Sequence, residues 1–318
     1  MKRIGFIATI VVLVATLCVA CVRDNDFILP GYDQTPDEDD DTTEEDLPLY
    51  NDYPNTSWAA GELDWVFDMN VVPEIHVNIS EEEWNTLLKE YDRDNNTIAY
   101  VHCDVDFESK GEKYHFEDAG LRLRGNTSRR RPEGNGGEMH KKDNADWHHC
   151  HFMLNLRKYQ KDDAHELHNV RKLHLKWHKD DRAYCRELYC YDLFRRFGIW
   201  TAAYSSYCRL WIHVEGDSKP AYYGVYEMIE AIDDKYVKKR KDLFGDHKHN
   251  LWKCRWGADL NYNSINNVSI HYDDDSGANY TYELKSNIEN FDAAKAQLIE
   301  FTKNVTQRTG QDFHDWIA

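Results

Sequence analysis

Apolar and polar residues alternate from Gly120 to Arg124: Leu121 and Leu123 lie on one face, Arg122 and Arg124 on the other. That period predicts a half-buried strand, and Gly125-Asn126, residue types that accept left-handed backbone, end it in a turn. Similar signals surround it. Pro73 to Ile79 alternates as a strand, and Ser80 with Glu83 forms a capping-box signature. Behind it, Trp84, Leu87, Leu88 and Tyr91 recur at helical spacing. Ala99, Val101, Cys103, Val105 and Phe107 make the next strand face, and Ser109 to Glu112 turns it into Tyr114 to Phe116. Residues 152–156 and the stretch Leu173, Leu175, Trp177 read as further strands. A helix is predicted from Asp181, with Tyr184, Leu188, Tyr191, Phe194 and Phe197 as its apolar stripe and Gly198 as its stop.

Two more strands, Tyr207 to Val214 and Tyr222 to Ile229, are joined by residues 215–218. They lead to a short basic helix (Lys235, Lys238, Lys239, Arg240) and a strand over Leu251 to Cys254. Residues 132–147 and 257–280 are polar or rich in Asn and Asp, so they read as loops, the first as a mobile one. A final helix from about Asp292 carries Ala294, Leu298, Phe301 and Val305 on one face. Together these elements predict an α+β fold, an antiparallel sheet with flanking helices, over residues 61–318.

The first sixty residues differ in kind. Lys2-Arg3 precede an apolar run from Ile4 to Val19 that is short for a membrane span and ends in Leu17-Cys18-Val19-Ala20-Cys21. This resembles a lipoprotein signal over 1–20 with lipidation at Cys21. The competing reading is an uncleaved anchor. Residues 21–60 read as an acidic tether, since 23–46 hold eleven acids against Arg23. A bacterial membrane lipoprotein at the outer membrane or cell surface is the expected location, with the lipid anchor as its membrane contact. The formal charge is −18, and no extended basic face balances phosphates along a duplex, which argues against nucleic acid as partner.

Candidate chemistry is concentrated near the arginine strand. Arg124, Arg129, Arg130 and Arg131 surround the Gly125-Asn126 turn, an island of positive charge in an acidic chain that suits an anion or phosphate. A plain hairpin turn with solvated arginines is the alternative. Six cysteines remain beyond Cys21 (Cys103, Cys150, Cys185, Cys190, Cys208, Cys254), with no CxxC pair and no pairing written in the order. His148-His149-Cys150-His151 alternate along a strand, and His174 and His178 flank another, so neither set converges on a metal without help from elsewhere.

Several runs together resemble the spore-coat-protein-H (CotH) kinases: Arg122-Leu-Arg-Gly-Asn-Thr-Ser128, Arg171-Lys-Leu-His-Leu-Lys176, Asp181, Arg186-Glu187, Tyr191-Asp192-Leu193-Phe194, Gly224-Val225-Tyr226, Glu230, Ile232-Asp233 and Asn250-Leu251-Trp252-Lys253. The resemblance implies an atypical protein-kinase-like N-lobe, with ATP and a divalent metal such as Mg as cofactors and a protein hydroxyl as acceptor. Carried onto this chain, it implies nucleotide contacts from Arg122, Arg124, Gly125, Asn126, Ser128, Glu187, Glu230 and Asp233. The lysine that grips ATP is either missing or supplied by Lys141, Lys142, Lys172 or Lys176. The family's catalytic Asp-to-Asn loop and Trp-Asp-x-Asp metal segment are not found before Ala318, and Asp242-Leu-Phe-Gly245 matches only superficially. The resemblance is thus to the N-terminal half, with no catalytic or metal residues assigned and no phosphoryl transfer expected from the chain as it stands. A surface binding module or adhesin is the alternative function, and a metal-binding surface protein using the histidines a third.

Overall fold

The computed structural model describes residues 62–125, 128–199, 201–241, 249–266, 269–272 and 280–317. The chain divides into units 1–49 and 50–318, and every described residue belongs to the second. The signal, Cys21 and the whole tether lie outside the described residues.

Seven strands close on themselves: β1 (Glu74–Ile79), β2 (Val101–Ser109), β3 (Glu112–Arg124), β4 (His151–Asn155), β5 (Lys172–Lys176), β6 (Ser205–Val214) and β7 (Ala221–Glu230). Their order around the barrel is β1-β2-β3-β4-β5-β7-β6. All neighbours are antiparallel except β1 and β6, which pair in parallel with Ile75 beside Leu210 and Val77 beside Ile212. This corrects the expected kinase-like N-lobe: the sheet with flanking helices is a closed, mixed seven-stranded barrel with few helices. Alternation along each strand reveals an inner face but not which edges meet. The outer edge of β6 finds β1 across more than a hundred residues, and closure leaves no edge strand exposed.

The inner face is filled by side chains. Val77, Val105, Phe107, Leu121, Leu123, Phe152, Leu154, Leu175, Leu210 and Met228 belong to one buried cluster. α1 (Glu62–Val66) adds Leu63 and Val66, and α2 (Glu81–Arg93) adds Trp84, Leu87 and Leu88. Ser80 caps α2, its Oγ accepting from Glu83 N at 3.2 Å. The Glu83 carboxylate turns instead to His102 N, at 2.9 Å. The β2–β3 turn at Lys110-Gly111 has positive φ at both residues, the primed geometry that suits twisted hairpins.

Two expectations fail locally. Residues 132–147 are ordered rather than a mobile loop, with Arg131, Glu133 and His140 buried and Glu133 bridging to Trp147. α3 begins at Arg186 and ends at Arg196, five residues later than the Asp181 start. Asp181 caps it from a distance, accepting from Cys185 N and Arg186 N. Of its predicted stripe only Leu188 is buried, while Tyr184, Phe194 and Phe197 are exposed. α4 (Asp234–Lys239) leads into Arg240, which is buried against Glu230.

Residues 250–317 add a three-stranded sheet, β8 (Trp252–Cys254), β10 (Tyr282–Leu284) and β9 (Ile270–His271), in the order β8-β10-β9. α5 (Phe291–Gln307) packs Leu298 against Ile270 and Tyr282, and α6 (Gly310–Ile317) follows. Among the described residues no helix is long and apolar enough to cross a membrane.

Candidate anion-binding face of the barrel

Strand register assembles the site. Arg124 pairs with His151. Phe152 pairs with Leu175, which places His151 level with Lys176, and Lys176 pairs with Glu227. Glu227 in turn pairs with Tyr207. A second row, two residues away on the same face, runs Arg122, Met153, His174, Ile229 and Ser205. These rows lie opposite the core face, because Leu121, Leu123, Phe152, Leu175 and Met228 occupy the alternate positions. Four strands thus bring two arginines, a lysine, two histidines and a carboxyl to one patch, and α3 supplies Glu187 and Tyr191 beside it.

The charges there are unevenly satisfied. Lys176 Nζ donates to Glu187 Oε2, an ion pair between β5 and α3. Arg122 donates to Leu123 O at 3.0 Å and stands over the Tyr100 ring at 5.3 Å. Arg124 is partly buried, and no hydrogen bond or ion pair to its guanidinium occurs among the described residues. Burial and then the Arg122 charge hold its pKa below the ordinary arginine value, yet guanidinium stays charged at any physiological pH. Burial, with Arg124 nearby, pushes His151 down to about 4 and His174 down to about 3, so both are neutral imidazoles at pH 7. His151 Nδ1 accepts from Trp177 N at 2.9 Å. Glu227 is only 3% exposed, and its Oε1 has no hydrogen-bond partner. Burial and then the Glu187 charge raise its pKa to about 7.

At the end of this face the chain turns at Gly125, whose φ of +113° and close approach to Ser128 demand glycine. A Cβ there would lie 2.6 Å from Ser128 Oγ. Arg129 fastens the turn, its Nε donating to Gly125 O at 2.8 Å and its Nη1 to Thr97 O. A cavity of about 140 Å³ opens beside it, lined by Ser128, Arg129, Arg130, His149, His151 and Lys179 among others. His149 stacks on Trp177 with ring centroids 3.6 Å apart.

Of the residues expected to meet a nucleotide, the structure brings Arg122, Arg124 and Glu187 to the patch, with Gly125 and Ser128 at its end. Asn126 lies outside the described residues. Glu230 is elsewhere: it pairs with Leu173 on the core-facing alternation and is bound by Arg240 at 2.8 Å and Lys239 at 3.4 Å. Asp233 caps α4 and bridges Lys172 at 2.7 Å and Arg171 at 3.0 Å. Of the four candidate lysines, Lys176 is the one in the row. Glu227 was not anticipated as a site residue, Tyr191 entered only as part of a family run, and His151 and His174 were weighed only as metal ligands. A carboxyl inside the apolar strand Tyr226-Glu-Met-Ile229 was the available signal for Glu227. Among the described residues no group of three or more His, Cys, Asp or Glu side chains is placed to hold a metal ion. All six cysteines downstream of residue 100 are free thiols.

The family model described as CotH kinase protein matches residues 121–318, and the chain belongs to that family. The match starts within β3, so β1, α2, β2 and most of β3, which complete the barrel, precede it. Comparison with curated proteins and with solved structures gave no match.

Proposed function

From membership of the CotH kinase protein family, we propose that the β3-β4-β5-β7 face binds the phosphates of a nucleoside triphosphate, ATP in the first instance. The observation that carries this reading is Arg124, a partly buried cation with no hydrogen-bonded or ion-pair partner among the described residues, beside a second arginine and the Lys176–Glu187 pair. Leaving a buried charge unpaired is costly, and phosphate oxygens are among the acceptors whose geometry the guanidinium fork matches. Arg122 and Arg124 hold phosphate oxygens, and Lys176, positioned by Glu187, meets a further one. Neutral His151 and His174 add no competing cation but line the row with imidazole. ATP, when bound, supplies the transferable phosphoryl group, with a protein hydroxyl as acceptor class. The described residues offer no ligand set for a divalent ion, so no metal position is assigned.

Calorimetric titration with ATP tests the site. The parent should bind saturably, and Arg124→Ala should bind about 10- to 150-fold more weakly, the usual worth of a charge-assisted hydrogen bond, roughly 1.5–3 kcal/mol. Equal affinities would remove the site. We further propose that the mature chain begins at a lipid-modified Cys21 on the outside of a bacterial membrane. This rests on the basic start, apolar run and cysteine of residues 1–21. Cys21→Ala should abolish fatty-acid labelling, and persistent labelling would refute it.

A further inference from the structure

We propose that Glu227 is the proton-linked residue of this face: it takes up a proton when an anion seats on Arg124 and Lys176. The inference rests on the anion-site reading above and deepens it. Glu227 sits on β7 in the middle of the row, almost wholly buried, with Oε1 unpartnered. A carboxyl so placed has two ways of meeting its environment. It stays ionised with the help of nearby cations, or it takes a proton and drops its charge.

The groups around it decide which. β5 presents Lys176 directly beside it, and β6 presents the Tyr207 phenol. β3 contributes the field of Arg124, which with Lys176 favours the charged form. α3 contributes Glu187, and the segment before it Asp181, both favouring the neutral form, and Tyr191 of α3 is close enough for its own titration to respond to Glu227. His178 lies beside Asp181 and Lys176 and is kept neutral by burial, its Nε2 also unpartnered. In the free protein burial, the largest of these effects, together with Glu187 and Asp181 outweighs the two cations and leaves Glu227 poised close to neutral pH.

An incoming phosphate shifts that poise. It engages Lys176 and Arg124, the two cations that hold Glu227 ionised, and adds its own negative charge to the one already present on Glu187. Both changes favour the protonated carboxyl. Binding therefore draws a proton from solvent, and affinity falls as pH rises, by at most tenfold per pH unit for one linked proton. Protonation also lets Glu227 donate a hydrogen bond.

The test is ATP titration by calorimetry at pH 7.5 and pH 8.5, in two buffers of different ionisation enthalpy. The terminal phosphate, with a pKa of about 6, is already ionised in this window. The buffer difference in heat counts protons. The parent should take up a fraction of a proton, and its affinity should drop several-fold between the two pH values. Glu227→Gln, neutral and nearly isosteric, should bind more tightly than the parent at pH 8.5, with no proton uptake and little pH dependence. Equal heats in the two buffers, proton release, or the same uptake in Glu227→Gln would each overturn the linkage while leaving the anion site in place. Absence of saturable binding by the parent would remove the site and the linkage together.

Discussion

Arg124 and Arg131 are seven residues apart and have opposite fates. Arg131 is buried in the segment after β3 and is fully used: its Nε and Nη2 meet the Asp92 carboxylate at 2.9 and 3.1 Å, and its remaining donors reach Glu133 O and Glu138 O. Around it Glu133 accepts from Trp84 Nε1 at 2.6 Å, from Asn144 and from His140. His140 spans Glu133 and Asp217, at 3.0 and 3.2 Å. Every charge there has a partner inside the protein, which is how a buried polar network stabilises a fold. The barrel face is the reverse: among the described residues Arg124 is unpaired and Glu227 lacks a partner at one oxygen. The contrast separates arginines that build the structure from one available to something else.

Substitutions should break the contrast cleanly. Arg131→Ala removes one partner from a buried network and strands Asp92, so a loss of about 3–5 kcal/mol in stability is expected. Tm should fall by roughly 10 °C. Thermal unfolding followed by circular dichroism checks this, and a variant as stable as the parent would deny the network its role. Arg124→Ala should lose most of its nucleotide affinity yet change stability by less than about 1 kcal/mol, because no internal partner is stranded. A large loss of stability in that variant would reclassify Arg124 as structural.

The pH dependence of stability gives smaller effects of known sign. The folded pKa of Glu227 is raised, to about 7, above that of an exposed glutamate near 4.3. Its contribution is therefore fully present below about pH 4 and is lost as pH rises through about 7. Glu227→Gln should be more stable than the parent at pH 8, and the difference should shrink by pH 5. His174 has a depressed folded pKa, about 3, against roughly 6.5 unfolded. Its contribution is present above pH 6.5 and is lost as pH falls toward 3. His174→Gln should flatten that acid limb. Denaturant titrations across pH 4–8 measure both, and parallel profiles for parent and variants would contradict the assigned burial.

The alternation of apolar residues told nearly every strand in advance, from Val77 to Met228, because a half-buried strand must place side chains on two faces. It could not tell closure. That depends on the parallel pairing of Ile75 with Leu210, residues far apart in sequence with no local mark of their meeting. The polar composition of 132–147 was read as mobility because charges are usually solvated. Here Glu133, His140 and Asp217 satisfy one another across segments, which composition alone does not reveal. Arg122, Arg124 and Glu187 were legible as candidates from their motifs, and Lys176 as one of four lysines. Glu230 lies away from that row for a reason of parity: three residues after Glu227, it falls on the core-facing alternation and meets Arg240.

The most direct measurement follows arginine side-chain signals by nuclear magnetic resonance, with the guanidinium nitrogens labelled, as ATP is added. The account predicts saturable shifts for Arg124 and Arg122, while Arg131 and Arg240, already held by Asp92 and Glu230, stay fixed. Shifts spread equally over all four, or an unmoved Arg124 in the presence of bound nucleotide, would contradict it.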